Sequence, residues 1–234
     1  AEFPTEVDRM KRSEINAQIR EALALTESLG FCLPPFARWT PEDWARKGHE
    51  CDEIRRRMLG WDVTDYGQGD YEHLGLLLFT LRNGDKADPA GKTYCEKILI
   101  SKEGQDSPDH FHWEKTEDII VRGGGNLRIR LYNADETGGH ADTDVAVSTD
   151  GTRRVLKAGT VLCLHPGESI TLTPGLYHEF WADPGHGTVL LGEVSKVNDD
   201  RGDNRFYAPI GRFPAVEEDV PAEYLLCSEY PVAK

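Results

Sequence analysis

From about residue 74 the chain is a succession of short apolar segments, each closed by a turn sequence that a helix does not tolerate. Strands are expected at residues 74–82, 94–101, 117–122, 127–132, 144–148, 160–164, 169–173, 177–181 and 188–194. Between them stand Asn83-Gly84, Gly123-Gly124-Gly125-Asn126, Asp150-Gly151, Pro166-Gly167 and Pro174-Gly175. Gly and Asn accept the backbone angles of tight turns, and Pro cannot donate to a ladder. Many short strands with such punctuation form a sandwich or barrel. No helix recurs between them, which disfavours a parallel βαβ sheet. The expected class is all-β.

The first sixty residues carry a different pattern. Ser13 is placed to cap a helix with Glu14 in its first turn, and Ile15, Ile19, Ala22, Leu23 and Leu29 recur at helical spacing until Gly30. Thr40 followed by Pro41 marks a second helix start, and a third short helix is expected near residues 52–58. Residues 199–234 are polar, irregular and interrupted by Pro209, Pro214, Pro221 and Pro231. The expected organisation is a single domain over 10–234. It has helical decoration at 10–60, a barrel at 61–198 and a tail at 199–234 that wraps the barrel. Residues 1–9 precede Met10, a candidate natural start, and read as a vector-derived or disordered leader.

A chain of 234 residues can bury a real core without staples. Its 27 basic and 41 acidic residues give a net charge of −14, which excludes a nucleic-acid or anionic-membrane surface built from clustered cations. A neutral substrate remains compatible. No apolar run approaches the roughly 20 residues of a membrane helix. The five cysteines are widely spaced with no CxxC pair, so reduced thiols and a cytoplasmic location are expected.

Chemistry concentrates in Asp109-His110-Phe111-His112-Trp113-Glu114-Lys115-Thr116-Glu117. On a strand His110 and His112 project to one side. Glu117, five positions after His112, reaches the same point only if the chain bends near 114–116. Two imidazoles and a carboxylate suit a divalent first-row metal. Pro174-Gly175-Leu176-Tyr177-His178 offers a fourth ligand, aimed by a tight turn. His49, His73, His140 and His186 fall in loops or at element ends and are expected to be solvated; His165 stays unassigned.

This paired pattern resembles the cupin superfamily, whose first motif also expects a glycine where Gly124 stands, six residues lying between it and Glu117. The cupin fold is a jelly-roll barrel, here with an N-terminal helical extension. Within cupins, HFHWEKTEDIIVRGGGNLRIRLYN, LTPGLYHEFWA, Gly192-Glu193-Val194-Ser195 and Val197-Asn198-Asp199-Asp200 resemble the D-lyxose isomerase family. So does the ending Gly211-Arg212-Phe213 with Tyr224-Leu225-Leu226-Cys227, and the likeness spans about residues 10–231.

The resemblance implies conversion of D-lyxose to D-xylulose, with D-mannose to D-fructose beside it. It implies Mn²⁺ as the usual metal, other divalent ions such as Co²⁺ suiting the same donors, and a homodimer. By matching positions the ligands are His110, His112, Glu117 and His178. Moving hydrogen between C1 and C2 needs a base and stabilisation of a cis-enediol, which a metal on the sugar oxygens supplies. Glu193, whose strand follows His178, is the candidate base. Lys115, between the ligands, is placed to polarise the carbonyl or move protons between sugar oxygens. Lys97, in an apolar strand, needs a partner or a polar cavity and reads as substrate-binding. Asp203 and Arg212 are candidate sugar-hydroxyl contacts; Trp113, Phe180 and Trp181 are candidate pocket walls.

Two rivals share parts of this pattern. A cupin dioxygenase can use three histidines and a glutamate for iron or copper, but it calls for an apolar pocket without lysines and a base beside the metal. A non-enzymatic sugar-binding cupin has no need of four intact ligands.

Overall fold

The computed structural model describes residues 9–88 and 90–233; residues 1–8 of the expected leader lie outside them. The strands are β1 Met10–Lys11, β2 Gly60–Thr64, β3 Leu76–Arg82, β4 Tyr94–Ser101, β5 Asp106–His112, β6 Glu117–Gly124, β7 Leu127–Ala134 and β8 His140–Ala141. They continue as β9 Val145–Thr149, β10 Thr152–Leu156, β11 Val161–Leu164, β12 Ser169–Leu172, β13 Leu176–Ala182, β14 Val189–Lys196, β15 Asn204–Phe206 and β16 Val216–Glu217. The main helices are α1 Arg12–Ser28, α2 Pro41–Trp44 and α3 Asp52–Arg56.

Two antiparallel sheets face each other as a jelly roll. The larger runs β10-β9-β12-β6-β14-β4-β3-β2 and the smaller β11-β7-β13-β5-β15, with β8 on β7. Inward residues of both sheets, among them Ile119, Val121, Leu127, Ile129, Leu131 and Leu191, fill the space between them. Gly124 ends β6 at φ +81°, where a Cβ would lie 2.3 Å from the Thr188 carbonyl oxygen, so only glycine fits this close approach.

The helical layer explains why β3 reads as an unbroken apolar run. Leu76 and Leu78 face the space between the sheets, while Leu77 and Phe79 pack with Ile15, Ile19 and Leu23 of α1 on the outer side of the larger sheet. A strand covered on both faces has no polar alternation to show. Helix α1 starts one residue before the expected cap. Ser13 lies inside it, its N–H and hydroxyl bound by the Asp219 carboxylate at 2.9 and 2.6 Å, and the Lys11 N–H is taken by Glu14 at 2.9 Å. A carboxylate from the tail has replaced the local cap. Gly30, at φ +69°, follows the helix as expected. Thr40 does cap α2, accepting from the Asp43 N–H at 3.3 Å.

Several strands lie outside the expectations, β2 and β10 among them. β2 (Gly-Trp-Asp-Val-Thr) is buried along its whole length: Trp61 and Val63 pack on the helical side, and the alternating Asp62 and Thr64 are buried as well, so its polar residues mark no solvent face. β10 is an exposed edge rich in Thr and Arg, with no apolar face to read. Both form because a neighbouring strand offers a ladder.

The tail crosses the helical layer. Arg12, 2 % exposed, meets Glu218 at 2.6 Å and Glu229 at 2.5 Å. The Cys227 N–H donates to the Trp61 carbonyl at 2.7 Å, and the Tyr230 ring stacks on Trp44 at 3.9 Å. Arg12→Met is expected to lower the unfolding free energy in urea by about 2–3 kcal/mol, because it strips charge-assisted hydrogen bonds from carboxylates that keep some access to water. A change under about 0.5 kcal/mol, the usual scatter of a surface substitution, would show that this contact does not anchor the tail.

Candidate metal centre and active site

Strand alternation places His110 and His112 on the inner side of β5 and sends Phe111 outward against Tyr177. The chain leaves β5 at His112, turns through residues 113–116 and re-enters the other sheet at Glu117. Asp203, 2 % exposed, holds this turn: its two carboxylate oxygens accept from the N–H groups of Glu114 at 2.8 Å and Lys115 at 3.1 Å. Gly175, at φ +76°, shapes the turn before β13 and donates to the His112 carbonyl at 3.0 Å. That pairing sets His178 opposite His110 in the ladder. The smaller sheet thus supplies three imidazoles and the larger sheet the carboxylate.

Backbone carbonyls orient the rings. His110 Nδ1 lies 2.8 Å from the Pro108 oxygen and His178 Nδ1 3.0 Å from that of Leu176, which turns each Nε2 inward. One ligand atom from each of the three histidines falls within 4.8 Å of the others. Glu117 Oε1 lies 3.3 Å from His112 Nε2 and 3.2 Å from His178 Nε2. Both of these nitrogens are buried without a hydrogen-bond partner, as is His112 Nδ1. Burial, then the neighbouring His178 and His112, hold His110 well below its ordinary pKa, so it is a neutral donor at pH 7.

Beside the imidazoles lies a network of buried charges. Lys115 Nζ is 2.7 Å from Glu117 Oε2 and 3.0 Å from Glu193 Oε1. Lys97, the cross-strand partner of Glu193, places its Nζ 3.2 Å from the same Oε1. Burial works against the charge on both lysines, but the carboxylates outweigh it and raise both pKa values, Glu193 for Lys97 and Glu117 with Glu193 for Lys115. Burial likewise opposes ionised Glu117, but Lys115 and then His112 hold it well below the usual carboxylate range. Arg212 reaches Asp62 at 2.7 Å and Asp200 at 3.5 Å. Four carboxylates here (Glu117, Glu193, Asp200, Asp62) face three cations. The surplus negative charge, the partnerless imidazole nitrogens and the three-His, one-carboxylate set all fit one divalent ion.

The cleft around these groups encloses a cavity of about 50 Å³. Leu76, Leu78, Leu99, Ile119, Phe180 and Phe206 form its apolar wall.

The four expected ligands come together, and Lys97, Lys115, Glu193, Phe180 and Arg212 line the same cleft. Other expected site residues stand elsewhere. Trp113 is 57 % exposed and packs edge-on against Phe111, outside the cleft. Trp181 lies under Arg130 on the outer face of the smaller sheet. Asp203 serves the 113–116 turn and does not line the cleft. His140 is half-buried rather than freely solvated. It stacks between Tyr132 and Tyr207 at 3.9 and 4.0 Å, and Nε2 meets Asp109 at 2.5 Å, because β8 folds back onto β7.

Several lining groups carried no separate reading in the sequence: Asp200, Asn204, Ser107 and Tyr66. Tyr66 sits at φ +55°, uncommon for a bulky residue, with its hydroxyl 3.4 Å from Ser107 Oγ. Only a turn signal, Tyr66-Gly67, hinted at it.

Comparison with known proteins settles the family. The model of the D-lyxose isomerase family matches residues 10–230. The chain belongs to this family. A D-lyxose/D-mannose isomerase of Serratia proteamaculans is 49 % identical over 223 residues, covering 94 % of this chain and 98 % of that one. Its counterpart from Escherichia coli O157:H7 is 48 % identical with the same coverage. The protein is accordingly an aldose–ketose isomerase of the D-lyxose isomerase family. Among solved structures, the L-ribose isomerase of Acinetobacter sp. DL28 in complex with L-ribose aligns with a TM-score of 0.59 at 15 % identity. The alignment covers 91 % of this chain and 100 % of that one. The L-ribose isomerase of Cellulomonas parahominis with L-psicose gives 0.57 at 17 %, over 91 % and 100 %. These two bear on the fold, which is the cupin-type jelly roll.

If Asp203 holds the ligand-bearing turn, Asp203→Ala should weaken Mn²⁺ binding to chelator-treated protein by about 10–100-fold, the usual cost of losing an outer-shell partner. Trp113→Ala should leave it within about twofold. Calorimetric titration of both separates turn support from general disturbance; equal affinities would remove Asp203 from that role.

Proposed function

We propose that the protein interconverts D-lyxose with D-xylulose and D-mannose with D-fructose. It uses a divalent ion held by His110, His112, Glu117 and His178, with manganese as the resident metal. The observation that carries this reading is the contact chain from a ligand carboxylate through a lysine to a second carboxylate: Glu117, Lys115 and Glu193, at 2.7 and 3.0 Å. A dioxygenase has no use for such a chain; an isomerase needs all three groups.

When bound, the ion supplies Lewis acidity, drawing charge from the carbonyl and hydroxyl oxygens of the open-chain sugar. The chain's own residues do the rest. Glu193 is the base: the C2–H bond of the aldose breaks, its proton goes to Glu193, its electron pair forms the C1=C2 bond, and the carbonyl pair moves onto O1 to give a cis-enediolate. Glu193 then returns the proton to C1 while the O2 proton passes to O1. Lys97 and Lys115 both approach Oε1, so Oε2 is assigned to the proton transfer. The Lys115 ammonium donates to the sugar oxygens during the exchange. Arg212, braced by Asp62, is assigned to the distal hydroxyls. The apolar wall with Phe180 keeps water from the transferred proton. The five cysteines, all unpaired, suit a reducing cytoplasm, and the assembly proposed is a homodimer.

Chelator-treated protein should give no ketose from D-lyxose, D-mannose, D-xylose or L-ribose. Restored Mn²⁺ should yield D-xylulose and D-fructose from the first two, and no ketose from any of them would end the proposal. Glu193→Gln should keep the metal yet lose about 10²–10⁴-fold in turnover, the usual share of a general base. Full activity would dismiss Glu193 as the base. His112→Ala should lose both metal and activity. A reaction run in D₂O should carry solvent deuterium into the product carbon; its complete exclusion would point away from a carboxylate base.

A further inference from the structure

Two buried lysines converge on a single oxygen of Glu193, and one carboxylate oxygen cannot fix the position of two ammonium groups that repel each other. A second shared acceptor stands across from it. Asn198 Oδ1 lies 2.8 Å from Lys97 Nζ and 3.3 Å from Lys115 Nζ. An ammonium can only donate, so the amide oxygen must be the atom facing both lysines. The four groups close a ring: Lys97, Glu193, Lys115, Asn198. Because Asn198 is neutral, it satisfies one N–H of each lysine without adding negative charge beside Glu193.

Asn198 follows the end of β14, where its backbone has left the ladder. It is held there by a side chain. Asn83, 8 % exposed and just past the end of β3, donates from Nδ2 to the Asn198 carbonyl at 3.1 Å and accepts from the Asn198 N–H at 3.0 Å. The same Oδ1 accepts from the Gly84 N–H at 2.9 Å, which locks the amide orientation. A side-chain amide thus takes the place of a strand partner for one residue. Asn83 hydrogen-bonds to neither lysine, and its hydrogen-bonded link to the cleft runs through Asn198.

We propose that Asn83 and Asn198 form a two-residue positioning relay that sets both lysines against Glu193, with Asn198 contacting the lysines and Asn83 acting only through Asn198. The inference rests on Glu193 and Lys115 being the proton-transfer pair. Neither asparagine transfers a proton or holds the metal. Their removal should therefore slow turnover while leaving metal content intact, since misplacing a reacting group by about 1 Å can cost on the order of 10²-fold.

The test is a double-mutant cycle on the Mn²⁺-loaded enzyme. Asn198→Ser keeps the backbone clamp and a polar side chain but shortens it out of reach of the lysines. It should lower kcat about 10–100-fold, with KM within about threefold and one metal per chain retained. Asn83→Ala should lower kcat by at least about threefold. The double variant should be no slower than Asn198→Ser by more than about twofold, because the hydrogen-bonded link from Asn83 to the site runs through Asn198. Three results of the cycle itself would overturn the relay: Asn198→Ser with unchanged kcat, a double variant slowed by the product of the two, or a loss confined to KM or metal content. A readout independent of turnover is the ¹H–¹⁵N signal of the two buried ammonium groups. It should be protected in the wild type and exchange at least about tenfold faster in either variant. An inactive wild type would sink the proposed function, whereas protection unchanged in both variants would sink the relay.

Discussion

Glu117 is a charge that the interior of this jelly roll could not hold alone. An unpaired ionised carboxylate between two apolar sheets costs far more than any single contact returns. It stays ionised because Lys115 is beside it and two imidazoles face it. Those neighbours come from different places: His112 and His178 from the opposite sheet, Lys115 from the turn that joins the sheets. The carboxylate thus ties the two halves of the fold to one point. The same arrangement leaves imidazole nitrogens without partners and negative charge in surplus, which is what a site prepared for a divalent ion requires.

Strand register carries the rest of the site. His178 opposes His110, and Glu193 opposes Lys97. A slip of one residue in either pairing would turn these side chains to the outer faces and put apolar ones in the cleft. Core packing along β6, β13 and β14 therefore protects the chemistry as well as the fold. The irregular segments do the finer work. The tail brings Asp203 to the 113–116 turn and Arg212 to Asp62 and Asp200. The residues after β14 bring Asn198 between the lysines. The sheets give direction and the loops give placement.

Much of this was legible in the residues. His110 and His112 are two apart on a strand, the odd offset to Glu117 demands a bend, and the structure bends there. Turn signals marked most strands of both sheets. Where the sequence misled, a distant partner had replaced a local rule: Asp219 reaches Ser13, Arg212 pairs with the buried Asp62 of β2, and β8 carries His140 between two tyrosines. Asp203 and Trp113 illustrate the same limit at the site. Both are near the ligands along the chain or in resemblance, but which side of a turn each faces is decided by contacts some 90 residues away, since Asp203 meets Glu114 across 89 positions. Asn198 lay inside a quoted motif without a role, because a role as a shared acceptor exists only once two lysines from different elements meet.

The central claim is that three imidazoles of one sheet and one carboxylate of the other make a single metal centre. Anomalous diffraction from crystals grown with Mn²⁺ tests it most directly. One strong peak is expected within bonding distance of an imidazole nitrogen from each of His110, His112 and His178 and of a Glu117 oxygen. No peak there, or a peak held by other residues, would contradict the account.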